Sequence, residues 1–160
     1  MRAEFMPKEQ NHTYEKLYYT LWELAGRYSG FCQFRAVGNS HDDRLIPMLE
    51  VGNGAQMIFC VAGIDGTQNL LPRLLIQMAE EYCRAYECGW QLEEFYEVKK
   101  LLDKIRICFL PLLNPDGYEI NQSGFSMIRN PIYRQMLRMQ SIPAKDFGYN
   151  ARGVDICHNF

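Results

Sequence analysis

Two long apolar runs constrain this sequence more than any other feature. They are residues 57–63 (MIFCVAG) and 105–115 (IRICFLPLLNP), and an unbroken apolar run is typical of a strand buried on both faces of a sheet. Two segments with helical spacing of apolar residues, 69–87 and 93–104, lie between them. The order strand–helix–helix–strand predicts an α/β fold, a mixed β-sheet flanked by helices.

The residues before the first apolar run predict one helix and a pair of strands. Apolar side chains recur at helical spacing over residues 14–28, and Thr13 is a candidate N-cap. Residues 31–38 and 44–52 predict two antiparallel strands. Pro47 within the second strand indicates a sheet edge or a bulge, because proline cannot donate to the hydrogen-bond ladder.

The C-terminal third of the chain is less regular. Residues 127–139 predict a short helix that Pro131 would open, and residues 143–160 predict mostly loop. Residues 1–160 are predicted to form one domain, because this length and 48% of apolar residues suit a single core.

Charge and cysteine usage argue against several classes of function. The net charge is −2 and no Lys/Arg run forms a stripe, so the sequence predicts no nucleic-acid partner. No apolar stretch is long enough to span a bilayer, and no signal peptide is visible, so we expect no membrane partner and a cytoplasmic location. The six cysteines form no CxxC pair; Cys60 and Cys108 are interpreted as small buried apolar residues in a reduced protein.

Polar residues follow both apolar runs directly, in the segments 63–69 (GIDGTQN) and 112–119 (LLNPDGYE). In α/β sheets, functional sites collect at the C-terminal ends of buried strands. Gly, Asn and Asp are also ordinary turn residues, and on spacing alone the plain-turn interpretation is favoured.

Four segments in order resemble a known family. They are 37–54 (VGNSHDDRLIPMLEVGNG), 62–69 (AGIDGTQN), 112–120 (LLNPDGYEI) and 152–160 (RGVDICHNF). Together they resemble the zinc carboxypeptidases of the carboxypeptidase A and B type, including bacterial relatives that cut cell-wall peptides. The resemblance covers the chain from the first helix to its last residue. It implies a mixed sheet with helices on both sides, zinc as cofactor and peptides as substrates.

The resemblance places two zinc-ligand positions in the first of the two strand-end segments. There the family reads His-Gly-x-x-Glu, and the His and Glu bind zinc. This sequence has Asp65 at the His position and Gln68 at the Glu position. A neutral amide is a poor replacement for a carboxylate ligand, so the resemblance implies a weak or absent zinc.

Further family positions lie near the end of the chain. The family pattern Gly-Val-Asp-x-Asn-Arg-Asn-Phe supplies an Asn and an Arg that hold the substrate carboxylate, and Cys157 and His158 stand there. Histidine cannot reproduce the bidentate fork of arginine. Asp155 matches the aspartate that supports the zinc-binding histidine; opposite Asp65, two carboxylates would repel and raise the pKa of one.

Arg129 lies at the family position of the arginine that polarises the scissile carbonyl, and it equally fits a surface cation beside a helix start. His12 and His41 are interpreted as solvated side chains. A different metal cluster of Asp65, Asp155, Cys157 and His158 is disfavoured, because adjacent residues rarely face one ion.

The resemblance implies that the third zinc ligand, the general-base glutamate and a substrate-closing tyrosine follow the residues present here. We therefore expect a truncated, degenerate, non-hydrolytic metallocarboxypeptidase-like domain. The alternative is an active zinc-dependent metallocarboxypeptidase that cleaves peptides, cell-wall peptides included. This enzyme would be complete only with a complementary chain. A truncated gene without a selected function is the third interpretation. Because a neighbour of the 57–62 strand belongs to the family's second half, we also expect self-association or binding of a complementary C-terminal half.

Overall fold

A computed structural model describes residues 13–92 and 96–159 of the protein, so the prediction for His12 lies outside the described residues. Among them are five α-helices: α1 (Tyr14–Arg27), α2 (Leu70–Cys88), α3 (Val98–Leu102), α4 (Pro115–Ser123) and α5 (Pro131–Arg138). The strands are β1 (Cys32–Asn39), β2 (Leu45–Val51), β3 (Gln56–Val61), β4 (Gln91–Leu92), β5 (Tyr96–Glu97) and β6 (Ile105–Leu110). Short 3-10 helices occupy Phe125–Met127 and Ala144–Asp146.

The main sheet has the strand order β1-β2-β6-β3. β1 pairs antiparallel with β2, β2 antiparallel with β6, and β6 parallel with β3, so the predicted mixed sheet is confirmed. Because β3 and β6 run parallel, the segments that follow them leave the sheet at the same edge. That placement brings the two predicted strand-end segments together.

One face of the sheet packs against α1, α2 and α3 and forms the main core. Alternate residues of the strands point to this face, as the two-residue period of a strand requires. Leu49 of β2 and Phe109 of β6 are fully buried there, together with Leu21 of α1 and Ala79 of α2. The apolar stripes read from the sequence therefore face the core.

The N-terminal predictions hold in detail. Thr13 caps α1, since its side chain accepts a hydrogen bond from the Lys16 amide (3.3 Å). The strand pair is antiparallel, and its register shifts between Ala36 and Gly38, next to the residue that pairs with Pro47. The sequence left a sheet edge or a bulge open for Pro47, and the structure shows a bulge beside its partner in β1.

The prediction that residues 57–63 are buried on both faces is wrong for most of the strand. Met57 and Phe59 are 55% and 57% exposed. Among the described residues β3 is the last strand of the sheet, and its side chains on the face away from the helices have little cover. β6 lies between two strands, and Ile107–Leu110 are buried as predicted.

Two helix predictions need correction. The helix predicted over 93–104 is only α3, because β4 and β5 pair with each other and their pairing overrides the local pattern; residues 93–95 lie outside the described residues. The Asn-Pro-Asp-Gly segment, interpreted as a plain turn, opens α4: the Asn114 side chain caps it and Pro115 stands in its first turn. The α5 prediction is confirmed. None of the helices described is long and apolar enough to cross a membrane.

Candidate functional site

One side chain, Asn114, joins three segments at the C-terminal edge of β3 and β6. Its Nδ2 donates to the carbonyl oxygens of Ile64 and Gly148, both at 3.1 Å. Its Oδ1 accepts from the Gly117 amide at 3.0 Å. The residue is 2% exposed, so these bonds satisfy a buried amide and fix the loop 63–69 against residue 148.

Two glycines allow these segments to approach each other. A Cβ on Gly66 would lie 2.4 Å from the carbonyl carbon of Gly117, and a Cβ on Gly148 would lie 2.5 Å from Asp65 Oδ1. Gly66 has no room for a side chain, and a side chain at Gly148 would require the Asp65 carboxylate to move. No spacing in the sequence relates Gly148 to Asp65, and only the fold brings the two together.

The Asp65 carboxylate closes its own turn. Its Oδ1 accepts from both the backbone amide and the hydroxyl of Thr67, each at 2.7 Å. Gln68 belongs to the same turn. Its backbone amide donates to the Asp65 carbonyl oxygen at 3.1 Å. The structure thus places the two family ligand positions in one half-buried loop, as their spacing predicted.

Asp155 faces His158 and not Asp65. Its Oδ2 lies 2.8 Å from His158 Nδ1, and its Oδ1 accepts from the Cys157 amide at 2.8 Å. The bond to His158 is the main cause that lowers the pKa of Asp155. The repulsion that was expected to raise the pKa of one of the two carboxylates is not seen at Asp155, whose pKa is lowered by its imidazole partner.

Cys157 is half-buried, and its thiol pKa is raised. Burial is the largest cause, followed by the negative charges of Asp155 and Asp65. A raised pKa keeps the thiol protonated at neutral pH, whereas the thiolate is the form that binds metal or attacks a substrate. Cys157 therefore lies near both carboxylates as a protonated thiol.

These donors do not form a zinc site among residues 13–92 and 96–159. No group of three or more His, Cys, Asp and Glu is placed there to hold a metal ion, whereas a catalytic zinc takes three protein ligands and a water. The disfavoured cluster of Asp65, Asp155, Cys157 and His158 does not assemble in this part of the chain. Asp65 and Gln68 are a carboxylate and a neutral amide, a donor pair that suits the family's zinc poorly.

Arg129 is tied to the loop between β1 and β2. Its Nη1 donates to the Asp43 carbonyl oxygen at 2.8 Å, and its amide donates to Asp42 Oδ2 at 2.7 Å. The exposed side chain borders a cleft of about 360 Å³ together with Tyr14, Glu119 and Arg134. Its hydrogen bonds therefore hold it against the loop between β1 and β2, and its carbonyl-polarising role stays a prediction.

A buried charge cluster holds the segment that carries Arg129. Arg44 Nη1 lies 2.6 Å from Asp42 Oδ2 and 3.0 Å from Asp116 Oδ1. Asp42 also accepts from the Asn130 amide at 2.8 Å. The only trace of this cluster in the sequence is the run of charges in the turn 40–44, which cannot by itself show burial.

The family model described as zinc carboxypeptidase matches residues 17–160. The chain belongs to the zinc carboxypeptidase family. The match covers the strand-end loops, the Asn114 anchor and the Asp155–His158 pair, so all of the features above lie within a zinc carboxypeptidase-like domain.

Known carboxypeptidases are similar to this chain in sequence. It is 25% identical to human carboxypeptidase N catalytic chain over 164 aligned positions, which cover 94% of this chain and 31% of that protein. It is 34% identical to carboxypeptidase D of Anas platyrhynchos over 102 positions, covering 59% of this chain and 7% of the relative. The chain thus spans less than a third of the length of the relatives it matches.

Solved carboxypeptidase structures share its fold. Bovine thrombin-activatable fibrinolysis inhibitor, in complex with a tick carboxypeptidase inhibitor, aligns with a TM-score of 0.59 and 18% identity, over 71% of this chain and 34% of that one. Carboxypeptidase A from Helicoverpa armigera aligns with a TM-score of 0.54 and 17% identity, over 74% and 30%. At these identities the likeness concerns the fold.

Proposed function

We propose that this chain is a zinc carboxypeptidase-like domain that does not hydrolyse peptides and that holds zinc weakly or not at all. The observation that carries the proposal is the state of the 63–69 loop. Asp65 and Gln68 stand at the family ligand positions, and the Asp65 carboxylate is engaged by Thr67 at 2.7 Å. A metal there would share the Asp65 carboxylate with two short hydrogen bonds to its Oδ1, while Gln68 offers only a neutral oxygen.

The substrate-carboxylate positions support the same proposal. His158 is exposed, with 80% of its side chain accessible, and its Nδ1 is held by Asp155. One remaining ring nitrogen makes a single hydrogen bond, whereas an arginine fork makes two parallel ones. Together with the neighbouring thiol of Cys157, this arrangement supports weak peptide binding, with the peptide C-terminus close to His158.

A second candidate is an active zinc-dependent metallocarboxypeptidase acting on peptides, cell-wall peptides included, that requires a complementary C-terminal half. The exposed strand β3 favours this candidate. Its outer edge is unpaired among the described residues, and Met57, Phe59 and Val61 present exposed apolar side chains on one face. An added strand would pair with this edge and cover that face, and a second copy of the chain competes for the same surface.

Metal analysis combined with a peptidase assay tests the proposal. We expect the purified chain, prepared without chelator, to carry far less than one zinc per molecule and to release no C-terminal amino acid from peptides. Asp65→Ala should change neither result. The double variant Asp65→His/Gln68→Glu should bind zinc at least about tenfold more tightly, because it restores an imidazole and a carboxylate.

Matched single variants identify the source of any gain. Gln68→Glu alone and Asp65→His alone should each bind zinc less tightly than the double variant, as expected for two ligands on one ion. One tightly held zinc per wild-type chain, lost on Asp65→Ala, would refute the proposal. Zinc-dependent turnover that appears only on adding a family C-terminal half would establish the second candidate instead.

A further inference from the structure

The backbone of β3 presents a row of hydrogen-bonding groups at the open edge of the main sheet. Among the described residues, β3 pairs with β6 on one side and with no strand on the other. The Ala62 amide donates to the Leu110 carbonyl oxygen at 2.9 Å, and the parallel register of β3 on β6 runs without a shift. Hydrogen-bonding direction alternates along a strand. The amides and carbonyl oxygens of Met57, Phe59 and Val61 therefore point away from β6, toward the open edge.

The same three residues also carry exposed apolar side chains. Met57 is 55% exposed, Phe59 57% and Val61 45%. All three lie on the sheet face away from the helices, because alternate residues of a strand share a face. The edge of β3 thus offers backbone hydrogen bonds and apolar contacts to one further strand.

A second copy of β3 fits this edge in one register better than in any other. When Phe59 lies opposite Phe59 of the second copy in an antiparallel pair, Met57 lies opposite Val61 of that copy. All three outward residues then form hydrogen-bonded pairs, and each such pair exchanges two N–H···O bonds. A shift of two residues in either direction leaves one outward residue of each β3 without a partner. The centred register therefore satisfies the most backbone groups.

The other edge of the main sheet is poorly suited to pairing. The register of β1 shifts between Ala36 and Gly38. The strand also contains Arg35, whose side chain is 56% exposed. Bulges and charges of this kind prevent edge strands from pairing. β3 has neither a register shift nor a charged residue, so association through strand pairing should stop at two copies.

We propose that β3 is a dimer interface, which pairs antiparallel with β3 of a second copy around a two-fold axis at Phe59. The two four-stranded sheets then form one continuous sheet in the order β1-β2-β6-β3-β3-β6-β2-β1. Such an interface is isologous, so it closes after two copies. The pairing uses no residue of the 63–69 loop, and the dimer does not depend on the proposed absence of hydrolysis.

The size of the contact predicts a weak dimer. The exposed parts of the β3 side chains amount to on the order of a few hundred Å² per copy. A standard stable interface buries about 800 Å² per partner, and smaller ones are transient. The dimer fraction should therefore rise with protein concentration.

Hydrogen exchange followed by NMR at several concentrations tests the pairing in the wild-type chain. As the dimer forms, the amides of Met57, Phe59 and Val61 should become protected. With about nine-tenths of the chain dimeric, their exchange should be roughly tenfold slower, because it proceeds through the remaining monomer. The Ala62 amide already bonds to β6 and should change far less. Association through side chains alone would not produce this difference.

Disulfide cross-linking tests the register. Phe59→Cys should give a dimer linked through residue 59, because the two Cα atoms would lie about 5.5 Å apart. Met57→Cys is the matched control. Met57 is similarly exposed, but its Cα would lie roughly 14 Å from that of its copy, too far for a disulfide. A mixture of Met57→Cys and Val61→Cys chains should instead link residue 57 to residue 61, and the wild type gives the background from Cys60.

Three results would overturn the proposal. The first is a chain that stays monomeric at high concentration, including one in which these amides become protected only when another polypeptide is added. The second is a dimer in which the amides of Met57, Phe59 and Val61 exchange as fast as in the monomer. The third is a link through residue 57 of two Met57→Cys chains that forms as readily as the link through residue 59.

Discussion

At the scale of single residues, the carboxylates at the family's metal-site positions form hydrogen bonds to residues close to them in sequence. Asp65 is bound to Thr67 of its own turn, and Asp155 is bound to His158. Each carboxylate is engaged by a residue within three positions of it in sequence. Such local hydrogen bonds form without contributions from distant elements. They therefore compete with any metal ion that these carboxylates could bind together.

The strongest electrostatic arrangement in the described chain lies away from these positions. Arg44 is 3% exposed and bridges Asp42 and Asp116, which are 2% and 0% exposed. Its Nη2 also donates to the Met127 carbonyl oxygen at 2.6 Å. Removing the one cation would leave two buried carboxylates facing each other, which is far more costly than losing a surface ion pair.

Arg44→Met is expected to lower the free energy of unfolding by about 3–5 kcal/mol, because it breaks a buried charge cluster. Denaturant unfolding of the two proteins at equal concentration measures this loss. The control is Arg84→Met, which removes two ion pairs of an arginine whose side chain is 48% exposed, and it should change stability by less than about 1 kcal/mol. Similar losses for both variants would show that burial does not set the strength of the Arg44 cluster.

At the scale of elements, β3 is the strand whose environment differs most from its sequence. Its pattern is that of an interior strand, yet Met57, Phe59 and Val61 are exposed on the face away from the helices, and Ile58 is 49% exposed on the other face. The strand has no charged residue or proline to discourage pairing. Unprotected apolar edges of this kind favour association with another chain.

Phe59→Lys is expected to reduce self-association of the chain, since it places a charge on the exposed face of β3. Light scattering coupled to size-exclusion chromatography gives the mass of both proteins over a range of concentrations. Tyr19→Lys is the matched control, because Tyr19 is 58% exposed but lies on α1. A wild-type chain that stays monomeric at high concentration would contradict the prediction of self-association.

At the scale of the whole molecule, two buried tyrosines connect distant parts of the chain. Tyr14 of α1 donates its hydroxyl to the Leu45 carbonyl oxygen at 2.9 Å, and its amide donates to Glu119 Oε2 at 2.9 Å. Tyr118 of α4 is 1% exposed. Burial is the largest cause that raises the pKa of each of them to about 12.

Stability is therefore expected to fall as pH rises from about 10 toward 12. The pKa of both phenols in the folded protein lies above the ordinary tyrosine value of 10.0. Their contribution to stability is fully present below the pKa of tyrosine in the unfolded chain. It is lost as the pH rises toward the folded pKa, because the unfolded chain ionises first. The contribution amounts to about 2–3 kcal/mol per tyrosine at most. Unfolding midpoints measured with reductant present across this pH range should fall less steeply for Tyr14→Phe than for the wild type. Equal slopes would contradict the role of Tyr14.

The sequence by itself predicted α1, the antiparallel strand pair, the two apolar strands, α2 and α5 in their order along the chain. These features depend on local chemistry: apolar periodicity, the capping side chain of Thr13, and the proline that opens α5. The spacing of Asp65 and Gln68 likewise predicted that both lie in one turn, because two residues three positions apart in a loop stay close in space.

Only the tertiary structure decided which groups meet. Three features depend on residues that are distant in sequence, and no periodicity predicts them. They are the contact of Gly148 with Asp65, the burial of the Arg44 cluster and the exposure of β3. Asp155 illustrates the difference, since its motif is visible in the sequence, whereas its contact with His158 is known only from the structure. Which neighbour a side chain binds depends on the competing partners that the fold brings within reach, and a motif records only its own residues.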